Sequence, residues 1–303
     1  MSAAPQTADD AVFRTAASLA LSRGFYREAK GATVAFCKGG PELLVSFCNL
    51  ASFTFPPEAR LPWLFNRAES WGWSHLGVMS REKDWYRNAD APDLLRDLAA
   101  DGFFDGFDRI LFAGTSMGGF AALNLQSIVP GADVIAFSPQ STLNPEIAPF
   151  EDRYPWPLRK FDWESPEFLD AADYVGRARR AWVLFDPMVP EDQAHAARLA
   201  LAGAEEVACP LMGHQLPNAL KRAGVLDLSL KLAMSGDFDR VRFYREFRTG
   251  RRTLSIWRKE LVQRALASGH RAGALAICEA TMRDQPGPWF RKMRKRLLAE
   301  GVE

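Results

Sequence analysis

The sequence predicts an α/β fold: a mostly parallel sheet with helices on both faces, plus an all-helical C-terminal extension. Three observations carry this. Apolar strand-like runs alternate with helical patterns from residue 92 to residue 224, as crossover units require. A glycine-rich turn, "GTSMGG", joins one such run to the helical pattern after it. From about Leu226 the strand runs cease and the pattern is helical to the end.

The elements follow in chain order. Residues 1–24 read as a helix; the stretch lacks a basic n-region, carries Asp9 and Asp10 early, and is interrupted by Arg14 and Arg23, which argues against a signal peptide. "FYREAKGATVAFCKGGPELLVSFCNL" reads as three short strands split by Lys30-Gly31 and Gly39-Gly40-Pro41. Next come a helix in "PDLLRDLAADG", a strand in "DRILFAG", a helix in "GGFAALNLQSIV" and a strand in "ADVIAFSP". After about 40 aromatic- and proline-rich residues, a short lid at about 141–180, there follow the strand "RRAWVLFDP", the helix "PEDQAHAARLALAG", the strand "AEEVACPLMGH" and the helix "LPNALKRAG". Residues 25–225 form the expected sheet-bearing domain and 226–303 the helical region. Within the latter, 258–291 matches one tetratricopeptide-type hairpin in part. Ala274, Cys278, Thr281 and Pro286 fall at its small, large, small and proline offsets, but Arg258, Val262 and Ala265 stand where its first helix expects an aromatic and a glycine.

Composition excludes several classes. In 303 residues, 48% are hydrophobic and 25% charged, an ordinary globular balance, and no run of about 18 apolar residues suggests a membrane span. Cys37, Cys48, Cys209 and Cys278 show no metal-ligand or CxxC spacing and read as buried thiols in a reducing compartment, so a cytoplasmic location is expected, with no metal and no cofactor. Net charge is +1 but uneven: from Val241 on, 15 Lys and Arg face 6 Asp and Glu, giving +9, which leaves −8 for the rest. The basic tail, "WFRKMRKRLL" above all, is a candidate surface for an anionic partner, or balances the acidic body.

In open parallel sheets the ligand sits beyond the carboxyl ends of the strands. There Gly114, Ser116 and Gly118 spell G-x-S-x-G between a strand and a helix, the setting of a nucleophile elbow. The pattern lacks the Gly-Lys-Ser/Thr of a P-loop, and G-x-G-x-x-G is absent. A serine hydroxyl needs a base, and a neutral imidazole serves near pH 7. His214, in the loop after the last strand, is placed to reach Ser116; His75, His195 and His270 read as packing or surface residues. The base needs an acceptor for its other nitrogen. Asp186 closes the strand "WVLFD", while Asp192 is the fallback, read first as charge in a helix's opening turn.

Through "GTSMGG", "FDPMVPEDQ" and "MGH", in the order Ser116, Asp186, His214, the chain resembles the α/β-hydrolase superfamily over roughly residues 25 to 224. The resemblance implies a Ser-Asp-His triad with Asp186 as the acid. It also implies an oxyanion hole from the backbone amides of Met117 and of Asn49 or Leu50, although no His-Gly precedes that loop. It implies a serine esterase or thioesterase acting on a small acyl substrate. Acyl transfer by the same triad and a non-catalytic scaffold are the alternatives. Trp63, Trp71, Trp73, Trp85, Trp156 and Trp163 fall in segments expected near the strand ends, as an aromatic pocket wall or as loop anchors. Arg81, Lys83 and Arg87 read as solvated charge or as anion contacts.

Overall fold

A computed structural model describes residues 7–302. The chain forms two compact units, one of residues up to Pro217 with Ser229–Phe238, the other of Asn218–Leu228 with Asp239 onward.

The first unit is built, in chain order, from α1 (Arg14–Arg23), β1 (Gly24–Glu28), β2 (Ala32–Cys37), β3 (Glu42–Phe47), α2 (Phe65–Ser70), β4 (Ser74–Ser80), α3 (Asp90–Ala100), β5 (Arg109–Thr115), α4 (Met117–Leu125), β6 (Asp133–Phe137), α5 (Pro155–Lys160), β7 (Arg180–Phe185), α6 (Pro190–Leu201) and β8 (Glu205–Ala208). The chain passes between units within α7 (Leu216–Arg222) and α8 (Leu226–Ser235). One eight-stranded sheet has the order β1-β2-β4-β3-β5-β6-β7-β8. β2 pairs antiparallel with both neighbours, and every pairing from β4 to β8 is parallel. This is the mostly parallel sheet that the sequence predicts.

Alternation along β2 shows why both faces must be covered. Val34 and Phe36 join the core that holds Leu94, Leu95 and Leu98 of α3 with Ala196 and Leu199 of α6. Ala35 and Cys37 point the other way, onto Ala16, Ala17 and Ala20 of α1 and Phe65 of α2. The three α3 leucines, each at most 2% exposed, contribute about 2 kcal/mol apiece by the usual area scale. All four cysteines are buried, and no helix of the described residues is long and apolar enough to cross a membrane.

The sequence did not reveal α2. Because it packs ahead of β4, Trp71 and Trp73 lie at that strand's amino end, the opposite edge from the end of β5, with their rings 4.7 Å apart. They form no part of a wall at the carboxyl ends.

The second unit contains α9 (Arg240–Arg251), α10 (Ser255–Ala267), α11 (Arg271–Asp284) and α12 (Pro288–Ala299). Val262 of α10, Ala274, Leu275 and Cys278 of α11, and Phe290 and Leu297 of α12 make a core of their own. Positions 274, 278 and 281 share one buried helix face, as i, i+4, i+7 spacing dictates. Arg245, Arg258, Arg271, Arg294 and Arg296 pair with acids of this same unit, namely Glu246, Asp284, Glu279 and Glu300. Arg291, Lys292 and Lys295 are exposed on α12.

Candidate active site

Ser116 sits between β5 and α4 with φ 51° and ψ −121°, a conformation costing roughly 1–3 kcal/mol that persists only where neighbours impose it. Its N–H donates to the Phe137 carbonyl of β6 at 2.9 Å, and its carbonyl accepts from Phe120 at 3.0 Å. The flanking glycines are required by contact. A Cβ on Gly114 would lie 1.9 Å from the Gly118 carbonyl oxygen, and one on Gly118 would lie 2.8 Å and 2.9 Å from the carbonyl oxygens of Phe47 and Cys48. The end of β3 therefore packs directly on the turn. Gly118→Ala is expected to lower unfolding free energy by about 2 kcal/mol through overpacking against backbone. Urea denaturation checks this, and an unchanged midpoint would refute the steric account.

The imidazole of His214 lies against this turn, its Nε2 3.2 Å from Ser116 Oγ. Its Nδ1 is 2.9 Å from both oxygens of Asp192, in the first turn of α6. Asp186 is not the acceptor. Its carboxylate takes the backbone N–H groups of Met188, Leu211, Met212 and Gly213 at 2.6–3.0 Å, and so fastens the loop from which His214 projects. Leu211 there has φ 65°, unusual for leucine, and its amide is one of the four held. The strand-end aspartate thus shapes the loop, and the helix aspartate, six residues on, meets the ring.

Asp192 belongs to a buried ionic chain. Arg153 donates from Nη1 to Asp192 Oδ1 at 2.8 Å and from Nε to Glu151 Oε1 at 2.9 Å. Neither carboxylate side chain has any exposed surface. Burial pushes the Asp192 carboxyl up, but hydrogen bonding and charge from His214 and Arg153 outweigh it and hold it below the ordinary value. For Glu151, burial is likewise outweighed, by hydrogen bonds from Arg153 and His195, and the carboxyl is held at about 2. His195 closes the chain. The Ser141 N–H donates to its Nδ1 at 3.1 Å, so the proton sits on Nε2 and donates to Glu151 at 3.0 Å. Burial lowers the His195 pKa, keeping the ring neutral.

Two further groups face the Ser116 hydroxyl. Tyr154 places its hydroxyl 3.1 Å from His214 Nε2. Gln140 lies 3.3–3.4 Å from Ser116 Oγ, and its carbonyl accepts from Trp85 Nε1 at 3.1 Å, which fixes which way the amide faces. Trp85 and Tyr86 hold consecutive positive φ angles of 52° and 55°. The Tyr86 hydroxyl donates to the carbonyls of Cys48 and Val78, and Asp84 accepts from the Tyr86 N–H, which together stabilise that turn. Beside the turn, the Asn49 N–H donates to Ser52 Oγ at 3.3 Å within a capping box, and Leu50 opens the short 3₁₀ helix that follows.

The remaining sequence candidates have structural roles. His75 is 2% exposed, contacts Ser46 Oγ at 2.8 Å and the Trp63 carbonyl at 3.2 Å, and is pushed down to about 4 by burial. His270 is exposed in the second unit. Arg87 is neither solvated charge nor an anion contact: it donates to the carbonyls of Asp162, Ser165 and Glu167 at 2.7–2.8 Å and lies over the Trp163 ring. Arg81 pairs with Glu28 at 3.5 Å, and Lys83 lies over Phe53. Trp85 packs 5.0 Å from Tyr154 and 6.2 Å from Trp156, so part of the expected aromatic cluster does stand beside Ser116.

Sequence reading missed Arg153, Tyr154 and Gln140. The one local signal was "EDRYPW", three charges set in an otherwise aromatic and proline-rich stretch. For Gln140 there was none beyond its place just after a strand.

No protein-family model matches the chain, and no curated protein does. Among solved structures it is similar to the capsule O-acetyltransferase of Neisseria meningitidis serogroup A (12% identity, 70% of this chain and 94% of that one, TM-score 0.49). It is also similar to Est1E of Butyrivibrio proteoclasticus, solved with ferulic acid bound (13%, 71% and 100%, TM-score 0.47). A third is the esterase of the archaeon Pyrobaculum calidifontis (19%, 70% and 80%, TM-score 0.45).

Proposed function

We propose that this protein, an α/β-hydrolase in fold, is a serine hydrolase that cleaves a carboxylic ester or thioester through an acyl-enzyme on Ser116. The observation that carries the reading is the unbroken line from Ser116 Oγ to His214 Nε2 at 3.2 Å and from His214 Nδ1 to Asp192 at 2.9 Å. With Nδ1–H donating to Asp192, Nε2 keeps its lone pair and accepts the serine proton as Oγ bonds to the substrate carbonyl carbon. The carbonyl π pair moves to oxygen. Met117, first residue of α4, and Leu50, first of its 3₁₀ helix, supply the amides for that oxyanion; Asn49 drops out because its N–H is already engaged by Ser52. Collapse breaks the bond to the leaving group, which takes the proton from Nε2. Water then repeats the sequence and releases the acid. An alcohol in place of water would make the reaction an acyl transfer. The buried thiols suit a reducing compartment such as the cytoplasm.

Covalent capture tests the reading. A fluorophosphonate probe is expected to label the full-length protein stoichiometrically, and Ser116→Ala is expected to abolish labelling. Absence of labelling in the wild type would favour a scaffold acting through exposed Arg291, Lys292 and Lys295, whose salt-sensitive binding to anionic vesicles would then be sought.

A further inference from the structure

Resting on that reading, we propose that Tyr154 is a further catalytic residue: it hydrogen-bonds the departing oxygen, which makes unactivated esters of alkyl alcohols, rather than thioesters, the substrate class.

His214 Nε2 has one lone pair, because Nδ1 carries the ring proton toward Asp192. Two hydroxyls nevertheless lie within reach of it, Ser116 Oγ at 3.2 Å and Tyr154 at 3.1 Å. Only one can donate to it at a time. Once Oγ has given up its proton and bonded to carbon, Nε2–H turns to the leaving oxygen. The phenol, freed from an acceptor that has become a donor, shares the same oxygen. It donates a hydrogen bond and transfers no proton; the leaving oxygen takes the bond electrons and the Nε2 proton, and the alcohol departs.

The phenol is held for this role. Its ring packs 5.0 Å from Trp85, and the Arg153 guanidinium lies 5.5 Å from the ring centroid. Burial raises its pKa, so it stays a donor at neutral pH. Gln140, held by Trp85, gives the Ser116 hydroxyl a second partner when the phenol occupies Nε2. An extra donor matters most where negative charge builds up on a poor leaving group. An alkoxide gains strongly, p-nitrophenolate hardly needs help, and sulfur accepts hydrogen bonds weakly.

The test is Tyr154→Phe, which keeps the ring. kcat/KM is measured for one acyl group joined to ethanol, to p-nitrophenol and to a thiol, alongside fluorophosphonate labelling and the thermal midpoint. The loss on the ethyl ester is expected to exceed the loss on the other two by roughly 10- to 100-fold, the effect of a hydrogen bond to a charged oxygen. Equal losses on all three, or a larger loss on the thioester, overturn the proposal while labelling persists. A wild type that neither labels nor turns over any of the three overturns the hydrolase reading and this inference with it.

Discussion

Asp192→Asn is expected to lower kcat/KM on esters about ten-thousandfold, with a loss of about 2 kcal/mol in unfolding free energy from the broken Arg153 pair. The carboxylate meets Nδ1 with both oxygens at 2.9 Å. An amide there can turn its NH₂ toward the ring, forcing the proton onto Nε2 and leaving the serine without a base. It also removes the charge that stabilises the imidazolium. Asp186→Asn is the contrast. It weakens the hold on four backbone amides but leaves the ring's partner in place. Its expected signature is a loss of about 2 kcal/mol in unfolding free energy with activity reduced about tenfold or less. Ester turnover and urea denaturation of the two variants check the pair, and the reverse ranking would return the acid's role to Asp186.

Arg153→Met is expected to destabilise the protein by about 3 kcal/mol at pH 7, since it removes the cation shared by two buried carboxylates. The lower end of the usual range applies because Arg153 keeps 21% of its own surface exposed. The pH dependence has a definite sign. The Glu151 carboxyl is held at about 2 against an ordinary 4.5, so its contribution is complete above about pH 4.5 and is lost as pH falls through 2. Asp192, also depressed, acts in the same direction. Without the guanidinium each carboxyl keeps its histidine partner, but burial weighs more heavily against the charge and both protonate earlier. The stability gap between wild type and variant should therefore be widest at pH 7 and narrower at pH 3, as urea titrations at the two values would show. A gap independent of pH would mean that Arg153 acts by packing alone.

Ser116 and His214 were legible because each has a local signature: glycines that no other residue can replace at a crowded turn, and a histidine just past a strand. The strand and helix alternation was legible for the same reason, since periodicity is a local property. From sequence Asp192 reads first as helix-turn charge, because acidic residues at the start of a helix ordinarily answer the backbone dipole. What distinguishes it is contact with Arg153, 39 positions earlier in the chain, and no window of sequence contains both. Asp186 drew the assignment because it closes a strand, a position the hydrolase resemblance favours. Its true partners are amides in a loop that only the folded sheet brings near. Trp71 and Trp73 were misplaced once α2 went unrecognised, for six residues are too few to show a helical period clearly.

Arg87 grips three carbonyls of the 162–167 stretch at once. A segment riveted at three points in this way has no inexpensive hinge. Displacing the stretch means breaking three charge-assisted bonds together, so its position is set by the turn that carries Arg87.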